Sequence, residues 1–81
     1  MKDPQQAADE LVENIGAIGA LNIALFYEEI IQLAILQTQG VIDALSKLIL
    51  DPFGEVTNAD LKIGELMEYN FKVLTHLKTR L

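Results

Sequence analysis

The chain has 81 residues and a formal net charge of −6, and 51% of its residues are hydrophobic. It contains no cysteine, which excludes disulfide scaffolds and cysteine-based metal or redox sites. The acidic balance disfavours nucleic acid as a partner, and the hydrophobic content disfavours disorder. A domain of this size buries only about 60% of its unfolded surface, so we expect it to need a partner or to self-associate.

The first helix signal lies at the amino terminus. Asp3 is a typical N-cap residue, Pro4 fits the first helical position, and Gln6 completes a variant of the capping box. From Pro4 onwards, apolar residues recur at helical spacing and do not alternate as they would in a strand. The next proline is Pro52, so the sequence predicts one long helix over residues 4–50. Gly40 is the one candidate kink in it.

A second helix is predicted after the segment Asp51-Pro52-Phe53-Gly54. Proline forces the residue before it out of the helical region, so this segment begins a loop over residues 51–57. Thr57 or Asn58 is the expected N-cap of a helix over residues 58–80, with Asp60 in its first turn. The fold class is therefore all-α: a single domain, residues 1–81, in which a long helix and a shorter one form a helical hairpin.

This hairpin leaves part of the long helix uncovered. The shorter helix reaches back only to about Glu28, so the apolar segment from Leu11 to Tyr27 projects into water. Either the long helix breaks and folds back on itself, or a neighbouring subunit covers the segment. No turn dipeptide lies between residues 14 and 27, so we favour the neighbour and expect an oligomeric bundle.

Small residues mark the expected contact between subunits. Gly16, Ala20 and Ala24 are four positions apart and share one helix face, where small side chains allow two helices to approach closely. Close packing within one subunit is the alternative interpretation. The predicted interface consists of apolar and small residues in the first 30 positions: Leu11, Ile15, Gly16, Gly19, Ala20, Ile23, Ala24, Phe26 and Ile30.

Polar residues within the apolar series carry two further hypotheses. Asn22 and Asn70 are either buried residues that fix helix register or boundary residues. Charge is also uneven: residues 1–60 hold two Lys against ten Asp and Glu (−8), and residues 61–81 hold four Lys and Arg against two Glu (+2). The basic end of one subunit therefore either meets the acidic end of another or complements its own helix dipole.

No arrangement of residues indicates catalysis. His76 has Lys72 and Arg80 as its neighbours one turn away, so it lacks an acidic partner, and Ser46 has no nucleophile elbow. We therefore predict no catalytic, metal-binding or cofactor-binding residues, and no enzyme. The uncharged runs 14–27 and 30–42 are too short to span a membrane. The amino terminus shows no secretory signal, and the absence of cysteine favours a cytoplasmic location.

One part of the sequence resembles a known family. The segment Val41–Leu48, the proline-containing loop and Glu68-Tyr69-Asn70 are similar to the needle subunits of type III secretion systems. The resemblance spans residues 41–70 and implies a helical hairpin that polymerises. The loop is longer here, and only 11 residues follow Asn70, where that family has a much longer helix.

The sequence therefore predicts a small non-catalytic helical protein that self-associates as a structural or assembly subunit. Two alternatives stay open. The chain is a chaperone or adaptor whose apolar face binds a helix of another protein, or it is a subunit of a secretion-type helical filament.

Overall fold

A computed structural model describes residues 2–19, 22–48 and 57–81. These residues form three helices and no strand: α1 (Pro4–Ile18), α2 (Tyr27–Leu48) and α3 (Asn58–Lys78). The all-α class is confirmed. The two-helix hairpin is wrong, because the predicted helix over residues 4–50 is two helices. The predicted loop lies, except for Thr57, outside the described residues.

The break between α1 and α2 is made by Gly19 and Asn22. Gly19 caps α1, and its N–H donates to the carbonyl of Ile15 at 3.1 Å. The carbonyl of Asn22 accepts the N–H of Phe26 at 2.9 Å, and its side-chain oxygen accepts the N–H of Leu25 at 3.2 Å. Gly19 keeps helical backbone angles (φ −79°, ψ −3°), so the end of α1 does not depend on a positive φ there. The side chain of Asn22 bonds to nearby backbone, as asparagine commonly does in turns.

α2 begins as this turn closes and continues without interruption through Gly40. The helix is therefore not broken at Gly40. A glycine inside a helix costs about 1 kcal/mol relative to alanine, and nothing within 4 Å of the position of a Cβ on Gly40 explains its presence.

The two predicted helix starts have different outcomes. At α3 the start is confirmed: Thr57 Oγ1 accepts the N–H of Asp60 at 3.2 Å, and Asp60 Oδ2 accepts the N–H of Thr57 at 3.0 Å. At α1, Pro4 holds the first position as expected, and Asp3 is the N-cap. The capping-box variant is wrong there, because the side chain of Asp3 makes no capping hydrogen bond.

The three helices pack around one core with α2 running opposite to the other two. Lys2 and Asp3 lie beside Glu68 of α3, and Asp9 pairs with Arg80, so α1 and α3 point the same way. The chain therefore folds back on itself between α1 and α2, which is the arrangement that we did not favour. The buried cluster draws on all three helices: Ala8, Val12, Ile30, Ile31, Ala34, Val73 and Leu77.

The polar residues near this core are satisfied within their own helices. Thr38 is buried, and its hydroxyl donates to the carbonyl of Ala34 at 2.9 Å. Asn70 is half-buried, and its side-chain amide donates to the carbonyl of Leu66 at 2.8 Å. Asn22 is exposed in the turn, so it does not act as a buried register residue within this chain.

Candidate interaction surface

Four of the nine predicted interface residues lie in or against the core of the chain itself. Gly16 and Ile30 are buried, and Leu11 and Ile15 are partly buried against the core cluster. A Cβ on Gly16 would lie 2.7 Å from Cγ1 of Ile23 and 3.8 Å from Cδ1 of Ile30. The close approach that Gly16 permits is therefore made here between α1 and Ile23 of the connection to α2, with Ile30 of α2 at van der Waals distance.

Four of the other five predicted interface residues lie in the connection between α1 and α2. Gly19, Ile23, Ala24 and Phe26 are exposed, and Ala20 lies outside the described residues. Because α1 ends at Ile18, Gly16 and Ala24 do not share a helix face, as a continuous helix would require. What these residues share with the end of α1 is an exposed apolar surface.

We call this surface the turn end and define it by its large exposed apolar side chains. They are Ile18 (87% exposed), Leu25 (71%), Phe26 (39%) and Ile23 (37%). Scattered apolar residues are normal on a protein surface, whereas several close together mark interaction sites. The turn end is therefore a candidate interaction surface.

A second exposed surface lies on α2, on the side away from the core. We call it the outer face of α2, and its residues are all exposed: Glu29, Gln32, Leu33, Leu36, Gly40, Asp43, Ala44 and Lys47. Leu36 is 64% exposed and Leu33 is 49% exposed. This surface was not predicted from the sequence, because every predicted interface residue precedes residue 31. A helical wheel that starts at Tyr27 would have shown it.

Two shallow apolar grooves flank the outer face. The α1-side groove, of about 430 Å³, is lined by Ile15, Ile18, Gly19, Leu33 and Gln37. The α3-side groove, of about 510 Å³, is lined by Gln32, Ile35, Leu36, Lys78 and Leu81. The outer face is thus a ridge between two grooves, and the α1-side groove joins it to the turn end through Ile18.

Some charged residues form ion pairs within the chain, and others lie along the outer face of α2. Arg80 at the end of α3 binds Asp9 of α1, and Lys2 binds Glu10. The basic carboxy-terminal end therefore meets the acidic region of its own chain. On α2, Glu29 lies in the first turn and Lys47 in the last, each at the helix end where its charge is favourable.

In residues 2–19, 22–48 and 57–81, no group of three or more His, Asp or Glu side chains is placed to hold a metal ion. On α3, Phe71 is 49% exposed, whereas Tyr69 packs against the core. The turn end and the outer face of α2 are suited to contact with another apolar surface.

Comparisons with protein-family models, with curated proteins and with solved structures gave no match. Among the described residues, the helices are either too short or not apolar enough to cross a membrane.

Proposed function

We propose that this chain is a non-catalytic helical subunit that self-associates through its exposed apolar surface. The supporting observation is the continuous run of exposed apolar side chains from the turn end to the outer face of α2. Ile18 and Leu33 line one groove and so connect the two surfaces. Burying apolar surface is favourable by about 25 cal/mol per Å², and a second copy is the partner that is always present.

The proposal changes where subunits meet. Leu11, Ile15, Gly16 and Ile30 contribute to the core of the chain, so contact between subunits falls to the exposed residues. Gly19, Ile23, Ala24 and Phe26 stay in the proposed interface. Leu33, Leu36 and Gly40 on the outer face of α2 join them.

The alternative is an adaptor that binds a helix of another protein. The two grooves beside the outer face support it, since an amphipathic helix docks its apolar side chains into such grooves. A filament subunit is a variant of self-association in which the contact does not close on itself and copies add without limit.

Sedimentation velocity over a wide concentration range tests the proposal. We expect the mean mass to rise from that of one chain to a defined multiple as concentration increases. Leu36→Gln should weaken the association, because it removes an apolar side chain from the outer face. Leu61→Gln is the matched control, since Leu61 is 58% exposed on α3 and lies on neither surface.

A mass of one chain at every concentration would overturn the self-association proposal and favour the adaptor. An open-ended distribution of masses would indicate a filament. Equal effects of the two leucine substitutions would show that the contact lies elsewhere.

A further inference from the structure

We propose that two copies of this chain pair through the outer faces of their α2 helices, with the two helices antiparallel. This inference rests on the self-association proposed above and specifies its geometry. The occupant of the exposed face is a second copy, because the face carries its own electrostatic complement.

The order of charges along the outer face is the first argument. Glu29 and Lys47 are separated by 18 residues, which is five turns at about 3.6 residues per turn, so they lie on one line along the helix. Both are exposed. An antiparallel pair places each Glu29 beside Lys47 of the second copy, at both ends of the contact. A parallel pair would place like charges together.

The same register matches the residues between these charges. With Glu29 opposite Lys47, Leu36 lies opposite Gly40, because Leu36 follows Glu29 by seven residues and Gly40 precedes Lys47 by seven residues. Gly40 has nothing within 4 Å of where its Cβ would be, so it leaves space for the leucine of the second copy. Leu33 lies one residue out of register with Ala44, on the same side of the helix. At the centre of the face the large side chain of Leu36 thus meets the small Gly40, while Leu33 lies opposite Asp43 and beside Ala44.

This register also explains the glycine inside α2. No contact within the chain requires Gly40, although it weakens the helix by about 1 kcal/mol. A small residue where two helices cross lets their backbones approach closely. The contact with a second copy supplies the reason that the single chain lacks.

The size of the contact predicts its strength. Between Glu29 and Lys47 the face is about 27 Å long, and a helix is about 10 Å wide, so the strip covers roughly 300 Å² per copy. Stable interfaces bury about 800 Å² per partner. The flanking grooves add to the strip, but we expect a dimer that dissociates on dilution.

Charge reversal tests the pairing. Glu29→Lys or Lys47→Glu alone should weaken dimerisation about tenfold at low salt, since each creates two repulsive contacts by symmetry. The double variant E29K/K47E should restore it to within about twofold, because both attractive contacts return. Glu65→Lys is the matched control: it makes the same change of charge at an exposed position on α3 and should leave dimerisation unchanged. Circular dichroism establishes that each variant is folded.

Engineered cysteines test the orientation, and the absence of native cysteine makes the result unambiguous. In the antiparallel register, position 33 of one copy lies near position 44 of the other. Two copies of either position are roughly 15–18 Å apart along the axis, beyond the roughly 7 Å limit for a disulfide. Oxidation should therefore give dimers when Leu33→Cys and Ala44→Cys are mixed, and none with either variant alone.

The outcomes separate this pairing from self-association in general. Disulfide dimers with one variant alone would show a parallel contact and overturn the inference. A mass that rises with concentration, without any disulfide dimer and with no effect of charge reversal, would overturn the pairing while self-association stands. A single-chain mass at all concentrations would overturn both.

Discussion

Gly16 and Gly40 lie in the interiors of helices, yet their surroundings differ completely. Gly16 is buried, and a Cβ there would lie 2.7 Å from Ile23. Gly40 is exposed, with open space around it. Gly16 therefore permits a contact inside the chain, whereas Gly40 leaves space at the surface.

The same substitution at both glycines separates these roles. Gly16→Leu should lower the free energy of unfolding by about 1–2 kcal/mol, because overpacking costs more than the gain in helix propensity. Gly40→Leu should raise it by up to about 1 kcal/mol in the single chain, while blocking the close approach of a second copy. Urea unfolding at low protein concentration measures the free energy of unfolding of both variants, and sedimentation measures their association.

Two results would contradict this assignment. Equal destabilisation by both substitutions would show that Gly40 is packed within the chain. Unchanged association of Gly40→Leu would show that the outer face of α2 is not the contact.

At the scale of the helix, the caps of α1 and α3 make unequal contributions. Thr57→Ala removes a side chain that accepts the N–H of Asp60, so it should lower the free energy of unfolding by about 1 kcal/mol. Asp3→Ala is the matched change at α1, where no such hydrogen bond exists, and it should cost only a few tenths of a kcal/mol. Thermal or urea unfolding of the two variants checks the difference, and a larger loss with Asp3→Ala would contradict it.

The start of α3 was predictable because its signal is local. Thr57 and Asp60 are three residues apart, and each bonds to the backbone of the other, so the sequence around them contains everything that the cap needs. The all-α class was predictable for a similar reason, because helical spacing of apolar residues extends over most of the chain.

The break between α1 and α2 was missed because its signals fit two interpretations. Gly19 and Asn22 are turn residues, but Ile18, Asn22 and Leu25 also continue the helical spacing of α1. Neither a proline nor a turn dipeptide marks the break. The outcome depends on a contact that forms only after the chain has turned, where Gly16 meets Ile23 and Ile30.

The missed break also explains why the candidate site was only partly predicted. A helical wheel drawn over one continuous helix places Gly16 and Ala24 on one face. Once α1 ends at Ile18, the wheel begins again at Tyr27, and a different set of residues points outward. Leu33 and Leu36 can be recognised as surface residues once the wheel starts at Tyr27, where α2 begins.

At the scale of the whole molecule, the basic carboxy-terminal end forms an ion pair with the acidic amino-terminal part of the same chain. Arg80 has only 20% of its side chain exposed and binds Asp9, which joins the end of α3 to α1. The contact between basic and acidic ends that the sequence suggested for two subunits is thus made within one. The exposed charges of α2, Glu29 and Lys47, make no ion pair within the described residues and remain for the proposed contact between copies.

The core is unevenly placed along the bundle, and this determines where the molecule should open first. The cluster of buried residues lies where α1 packs on α2 and α3. At the other end of α2 and α3, no described residue in 43–48 or 57–66 is buried. Local opening is easiest where few apolar side chains are buried.

Amide hydrogen exchange at low concentration should therefore divide α2 and α3 into two parts. Amides in residues 31–38 and 73–78 should exchange only on global unfolding, because they surround fully buried side chains such as Ile31 and Leu77. Amides in residues 44–48 and 62–66 should exchange faster, by local opening that leaves the core intact. Leu77→Ala provides the control, since it removes a buried side chain and should accelerate exchange in the first group much more than in the second. Uniform protection along both helices would contradict the uneven core.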